Sequence, residues 1–424
     1  MMTMTTRTSR THRIRTGIAA AACTALACGT LAAGALSPTP AWADQNSCEI
    51  GKTNYITSTP WTEDALGMTT VRSLADGEGI IVAVVDSGVD TNNPHLAGDA
   101  VLPGVNLAGD NVQDGRTDNY GHGTVVAGII AARKIEGSSL MGIAPKATIL
   151  PVRVYNSIDN SSSHSQGGPS PDVLADGIRY AADHGAQIIN ISQSTVAPSG
   201  TLQLAVQYAQ AKGSLVVSSA GNRNTSSSTQ DGLRYPAAWK DVLGVAAADT
   251  SFHAASDSIS GEQVDILAPG ESVLSTIPRG VDCVFSAESA SSSYATAYAS
   301  GVAALVAQRH PDENALQWLQ RIEASGNRPD PDARDDNRGW GQINPYGAIT
   351  ITLANGMRGP GSTQYEPYTP PRTQQAQHLK VEATMHSDGT VSAVLAVVGA
   401  AAILVIITLI ALRIAKDAKH SADE

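Results

Sequence analysis

Five stretches of the chain are apolar at nearly every position and end at small or polar residues: "GIIVAVVDSGV" (79–89), "ATILPVRVY" (147–155), "AQIINIS" (186–192), "GSLVVSSAGN" (213–222) and "DVLGVAAAD" (241–249). An unbroken apolar run suits a strand covered on both faces, whereas strict alternation would mark one wet face. Between them lie helical patterns, "GTVVAGIIAARK" (123–134), "PDVLADGIRYAADHG" (171–185) and "TLQLAVQYAQAKG" (201–213). Strands alternating with helices predict parallel β-α-β units with right-handed crossovers. The expected fold is therefore α/β, a mostly parallel central sheet with helices on both faces, spanning residues 56–355. In such sheets ligands sit beyond the carboxyl ends of the strands, so the polar residues just after each apolar run become the candidates for chemistry.

The ends of the chain carry other patterns. Arg7, Arg10, Arg13 and Arg15 precede the apolar "GIAAAACTALACGTLAAGAL", and Ala41-x-Ala43 offers a small-residue cleavage site. This is the layout of a secretory signal peptide over residues 1–43, with an uncleaved N-terminal anchor as the alternative. Residues 44–55 form a short polar extension. At the far end, "VSAVLAVVGAAAILVIITLIAL" (391–412) is uncharged, apolar on all faces and long enough to span a bilayer, which argues against a buried core helix. Arg413, Lys416 and Lys419 follow, so the positive-inside bias places the tail (413–424) in the cytoplasm and the main domain outside, at the cell membrane. Residues 356–390 read as a Pro- and Gln-rich linker, and "NSIDNSSSHSQGGPSPD" (156–172), with an exposed His164, as a surface loop.

Charge and cysteine content narrow the partners. The formal charge of -11, with 28 basic and 39 acidic residues, argues against non-specific nucleic-acid binding. Loss of the signal peptide would remove four arginines and no acid, leaving 24 basic residues against 39 acidic and a charge of -15. Cys23 and Cys28 would leave too. Cys48 and Cys283 remain, an even pair that reads as a candidate disulfide tying the extension to the body.

Asp86 ends the first apolar run and is followed by Ser87-Gly88, His122 stands between glycines at the expected start of a helix, and Asn222 ends "SLVVSSAGN". Taken singly, each has a plain structural reading: an acid shaping a turn, an exposed histidine, an Asn that punctuates a loop. In combination with a serine they match the Asp, His, Ser chain order of a serine-protease triad known on an α/β scaffold, and Asn222 supplies an amide donor for an oxyanion.

"DSGVD", "GHGTVVAGIIA", "SAGN" and "SSSYATAYASGVAALV" together closely resemble the subtilisin-like serine proteases, or subtilases. The resemblance implies Asp86 and His122 as catalytic residues and Asn222 as the oxyanion donor. "IINIS", with Asn190 and Ser192, looks like the family's substrate-binding strand, and "LAPG" (267–270) is another of its segments. Counting back from Gly301 and "VAALV" makes Ser293 the nucleophile. Ser291 and Ser292 then replace Gly and Thr of the family pattern, and Ala297 replaces Pro. Ser291 is the departure that matters, because a position needing positive φ or close substrate approach does not accept a Cβ. Ser192, Gln193 and Ser194, with Ser218 to Gly221, are expected to line the pocket for the residue before the scissile bond.

The whole architecture resembles the mycosins, membrane-anchored subtilases of type VII secretion systems. That resemblance implies protein or peptide substrates, a short extension that wraps the domain, and a partner in the secretion membrane complex. No cofactor and no metal are expected. The competing expectation is a catalytically weak or inactive subtilase-fold scaffold.

Overall fold

The computed structural model describes residues 48–156, 169–223, 229–369 and 389–420. The expected signal peptide and His164 lie outside these. The described chain divides into two compact units, up to Ile351 and from Thr352 onward.

The first unit holds a seven-stranded sheet in the order β2-β3-β1-β4-β5-β6-β7, every pair parallel. Its strands are β1 (Ile81–Asp86), β2 (Val105–Asn106), β3 (Thr148–Arg153), β4 (Ile188–Ile191), β5 (Leu215–Ser219), β6 (Leu243–Ala248) and β7 (Ile266–Pro269). The five apolar runs supply β1, β3, β4, β5 and β6, and "LAPG" supplies most of β7. A separate antiparallel hairpin pairs β8 (Val273–Thr276) with β9 (Asp282–Phe285).

The runs are unbroken because both faces are buried. Val82 and Val84 of β1 enter a core with Ile188, Leu215, Val217 and Val245. Ala83 and Val85 turn the opposite way, into a second core with Leu150, Val152, Ile189, Ile191 and Val216. The first core is covered by α3 (His122–Ala131) and α6 (Ser292–Arg309), the second by α4 (Pro171–Asp183) and α5 (Gly200–Ala211). Helix α6 is buried on nearly every side. Ala295, Ala297, Ala299, Ala303 and Ala304 are all inaccessible, and such small side chains let the helix press on the sheet.

Four further helices complete the unit, α1 (Trp61–Ala65), α2 (Met68–Leu74), α7 (Ala315–Ser325) and α8 (Pro345–Thr350), of which α1, α2 and α8 are too short for a clear period. The N-terminal extension is fastened to the hairpin. Cys48 and Cys283 form a disulfide with Cα atoms 5.6 Å apart. Gly51 N–H donates to the Pro278 carbonyl at 2.9 Å, and Asp282 N–H to the Asn54 carbonyl at 3.0 Å.

The second unit contains α9 (Gly389–His420), of which Leu395–Ile414 is long and apolar enough to cross a membrane. The helix runs past Leu412 through Arg413, Lys416 and Lys419. An apolar run marks what oil tolerates, whereas Ala, Lys and Arg continue a helix readily in water.

Candidate active site

Because the seven strands are parallel, their carboxyl ends lie along one edge of the sheet. Four strands adjacent in that sheet bring side chains there. Tyr155 lies two residues past β3, Asp86 ends β1, Ser192 and Gln193 follow β4, and Asn222 lies three residues past β5. Two helices start at the same place, α3 with His122 and α6 with Ser293 at its second residue.

Asp86 is wholly buried, yet its carboxylate is well supplied with donors. Oδ1 accepts from His122 Nδ1 at 2.8 Å, from Ser87 N–H at 2.8 Å and from the Tyr155 hydroxyl at 2.8 Å. Oδ2 accepts from Gln193 Nε2 at 3.1 Å. Burial alone would raise its pKa; the charge and hydrogen bond of His122, with the Ser87 and Tyr155 bonds, outweigh that and hold it below the usual carboxylate range.

His122 is aimed by its backbone. Gly121 before it has φ 103°, a left-handed conformation that favours glycine. A Cβ on Gly123 would come within 2.1 Å of the Gly88 carbonyl, so this glycine lets α3 start against the turn that carries Asp86. The glycines flanking the histidine thus serve the fold around it.

Asp118 builds the same turn, and nothing in its sequence context marked it. Its carboxylate accepts from Ser87 Oγ (3.0 Å), Gly121 N–H (2.7 Å), Tyr120 N–H (3.1 Å) and both Thr124 N–H and Oγ1 (2.9 and 2.7 Å). Burial pushes its pKa up, against those hydrogen bonds. For His122, burial favours the neutral ring, but the Asp86 charge and hydrogen bond, with Asp118 beyond, raise its pKa above the ordinary histidine value. The ring also stacks on Tyr294 of α6, with centroids 5.7 Å apart.

Ser293 is nearly buried at 8% exposure, and its hydroxyl donates to the Ser192 carbonyl at 3.2 Å. No hydrogen bond joins it to His122 among the described residues. Asn222 Oδ1 accepts from Ser292 N–H at 2.7 Å, which fixes the amide, and its NH2 makes no hydrogen bond among the described residues. Ser292 Oγ is bonded to Ser219 Oγ at 2.6 Å. Ser291 has φ -116° and ψ 122°, extended backbone that any residue adopts. The Cβ that replaces glycine there causes no strain, so this departure from the family pattern is harmless to the backbone.

Three of the expected pocket residues are placed otherwise. Asn190 is inaccessible; it accepts from Ser300 Oγ (2.9 Å) and donates to Ser192 Oγ (3.1 Å), tying β4 to α6. Ser218 is also inaccessible, inside β5. Both lie behind the cleft wall because consecutive strand residues point to opposite faces, and here both faces are covered. Gln193 turns to Asp86 and Tyr155 instead of outward. Ser194 and Gly221 do face each other: a Cβ on Gly221 would stand 3.3 Å from Ser194 Oγ. Among the described residues no group of three or more His, Cys, Asp or Glu side chains is set to hold a metal.

Known proteins resemble the chain in sequence and fold. The sequence profile of the subtilase family matches residues 77–341. Thermitase from Thermoactinomyces vulgaris is 39% identical over 236 residues, which are 56% of this chain and 77% of its own. The structure of MycP1 from Mycobacterium smegmatis superposes with a TM-score of 0.63 at 27% identity, covering 75% of this chain and 93% of that one. MycP3 from the type VII (ESX-3) secretion system gives a TM-score of 0.61 at 27% identity, covering 71% and 92%. With a parallel sheet of this order and a profile match over most of its first unit, the chain belongs to the subtilase family, the family of serine endopeptidases to which its fold and motifs point.

Proposed function

We propose that the protein is a membrane-anchored, extracytoplasmic serine endopeptidase of mycosin type, with Asp86, His122 and Ser293 as its triad. The reading is carried by one observation. The buried Asp86 carboxylate fixes Nδ1 of His122, and the other ring nitrogen, Nε2, makes no hydrogen bond among the described residues, on a site where Ser293 is the second residue of a helix. Nε2 is then the base that takes the Ser293 proton once the hydroxyl turns from the Ser192 carbonyl to a scissile carbonyl carbon. Such bonds commonly tighten only when substrate is present. As the carbonyl oxygen becomes anionic, the Asn222 NH2 and the Ser293 N–H receive it, aided by the partial positive charge at the start of α6. His122 passes its proton to the leaving amine, and water, deprotonated in turn by His122, hydrolyses the acyl-enzyme.

The substrates of this proposal are exported proteins, and the partner is a type VII secretion membrane complex. MycP1 and MycP3 are proteases of the ESX-1 and ESX-3 systems, and the apolar segment of α9 suits a single membrane span with the tail in the cytoplasm. Full-length detergent-solubilised protein is treated with a serine-directed phosphonate probe beside Ser293→Ala. Labelling of the parent alone is expected. A folded parent that stays unlabelled overturns the enzyme reading and leaves the scaffold.

A further inference from the structure

The donors on Asp86 are unequal in what they owe to the backbone. Ser87 N–H is supplied by the chain itself and His122 is the group Asp86 serves. The other two, Tyr155 and Gln193, are side chains from the strands on either side of β1, bonded to each other as well: Gln193 Nε2 lies 3.2 Å from the Tyr155 hydroxyl. The orientation of the Gln193 amide is forced, because its oxygen could not face the carboxylate. Its Oε1 is buried and has no hydrogen-bond partner among the described residues. Leaving an acceptor unsatisfied is unfavourable, and the bonds on the NH2 side offset it.

Tyr155 is fixed as a donor. The phenol is buried, and removing its proton beside the Asp86 carboxylate would place two negative charges together; both effects raise its pKa well above the ordinary value. Its oxygen stands 3.5 Å from His122 Nδ1, so it competes with the imidazole for the same carboxylate oxygen, Oδ1. Tyr120 packs edge-on against the Tyr155 ring at 5.8 Å and holds it in place.

We propose that Tyr155 and Gln193 are positioning residues that share out the charge of Asp86, making His122 a weaker base than the carboxylate alone would make it and carrying activity to lower pH. The inference rests on the triad reading above. A carboxylate that gives charge to a phenol and an amide has less to give an imidazolium. The other titratable groups facing the pair are Asp118 on the loop before α3, Tyr120 on the same loop and Tyr294 on α6. Asp118 acts in the opposite sense to Tyr155, raising the His122 pKa, and the test leaves it in place.

The test compares full-length parent, Tyr155→Phe and Gln193→Met. The pH profile of kcat/KM is measured on a peptide substrate, and the His122 ring is titrated by NMR on histidine-labelled protein, its resonance assigned by loss in His122→Ala. For Tyr155→Phe both midpoints are expected to rise by about half a pH unit, which is roughly a threefold loss of kcat/KM one unit below the parent midpoint. Gln193→Met should move them the same way by less, because its bond is to Oδ2 and not to the oxygen facing the ring. A lowered plateau with both midpoints unmoved, in variants that melt as the parent does, overturns the proposal. The NMR arm needs no turnover. If the parent hydrolyses nothing while Tyr155→Phe still raises the ring's midpoint, the protease reading falls and the charge-sharing stands. If Tyr155→Phe does not fold, Gln193→Met decides alone.

Discussion

Two buried or half-buried histidine–aspartate pairs among the described residues share a bond length and differ in use. His122 Nδ1 meets Asp86 Oδ1 at 2.8 Å, and His95 Nε2 meets Asp282 Oδ1 at 2.8 Å. His95 and Asp282 are both inaccessible, whereas the His122 side chain keeps 18% of its surface. The second nitrogen makes the difference. In His95 it faces the Arg133 carbonyl at 2.6 Å, so both ring nitrogens are taken up by protein oxygens. Asp282 in turn accepts Ile56 N–H at 2.9 Å and stands next to Cys283. That pair ties the hairpin to His95 and the Arg133 backbone, and Asp282 also holds Ile56, the residue just after the extension. The pair is a machine part only where one nitrogen is left unspent, as in His122.

Mutation should separate the two uses. The largest effect is expected at the open pair: His122→Ala or Asp86→Asn should lower kcat by about 10⁴ or more while the melting temperature stays near that of the parent. His95→Ala should do the reverse. Leaving Asp282 buried without its partner costs about 3–5 kcal/mol, read as a fall of roughly 10 °C in melting temperature, with kcat/KM per folded molecule retained. Loss of activity in folded His95→Ala would end the distinction.

Asn222→Ala should cost about 10²–10³ in kcat with little change in KM, since its amide meets charge only as it develops. The smallest effect concerns a carboxylate with no histidine at all. Burial raises the pKa of Asp265 to about 7, against the opposing pull of Gly244 N–H and Arg334. The folded protein then keeps a proton that the unfolded chain has released, so stability falls as pH rises from about 4 to about 7 and stays low above it. Asp265→Asn should therefore gain about 2 °C or more in melting temperature at pH 8 and nothing at pH 4. An equal gain at both would show that the proton is not the cause.

The sheet was legible because its strands are buried twice over, and continuous apolar runs such as 80–85 have few other uses. Asp86 and His122 were legible because fixed backbone needs, a turn after a strand and glycines around a helix start, travel with them. Asp118, Tyr155 and the true orientation of Gln193 were not. Tyr155 and Gln193 meet Asp86 across 69 and 107 residues of chain, and Asp118 meets Ser87 across 31, although its other bonds, to Tyr120, Gly121 and Thr124, are local. A hydrogen bond between loops leaves no period and no spacing in the sequence. Asn190 and Ser218 misled for a related reason: a motif says which strand borders a cleft but not which way each side chain turns.

The Cys48–Cys283 bond closes a covalent ring whose ends are 235 residues apart in sequence. Asp86, His122 and Asn222 lie inside that ring, and Ser293 lies just outside it. A single cut anywhere between the two cysteines therefore opens the ring without dividing the molecule. For a member of a family of peptidases, this is insurance against its own kind: a clipped copy keeps its parts together until a reductant lets them go.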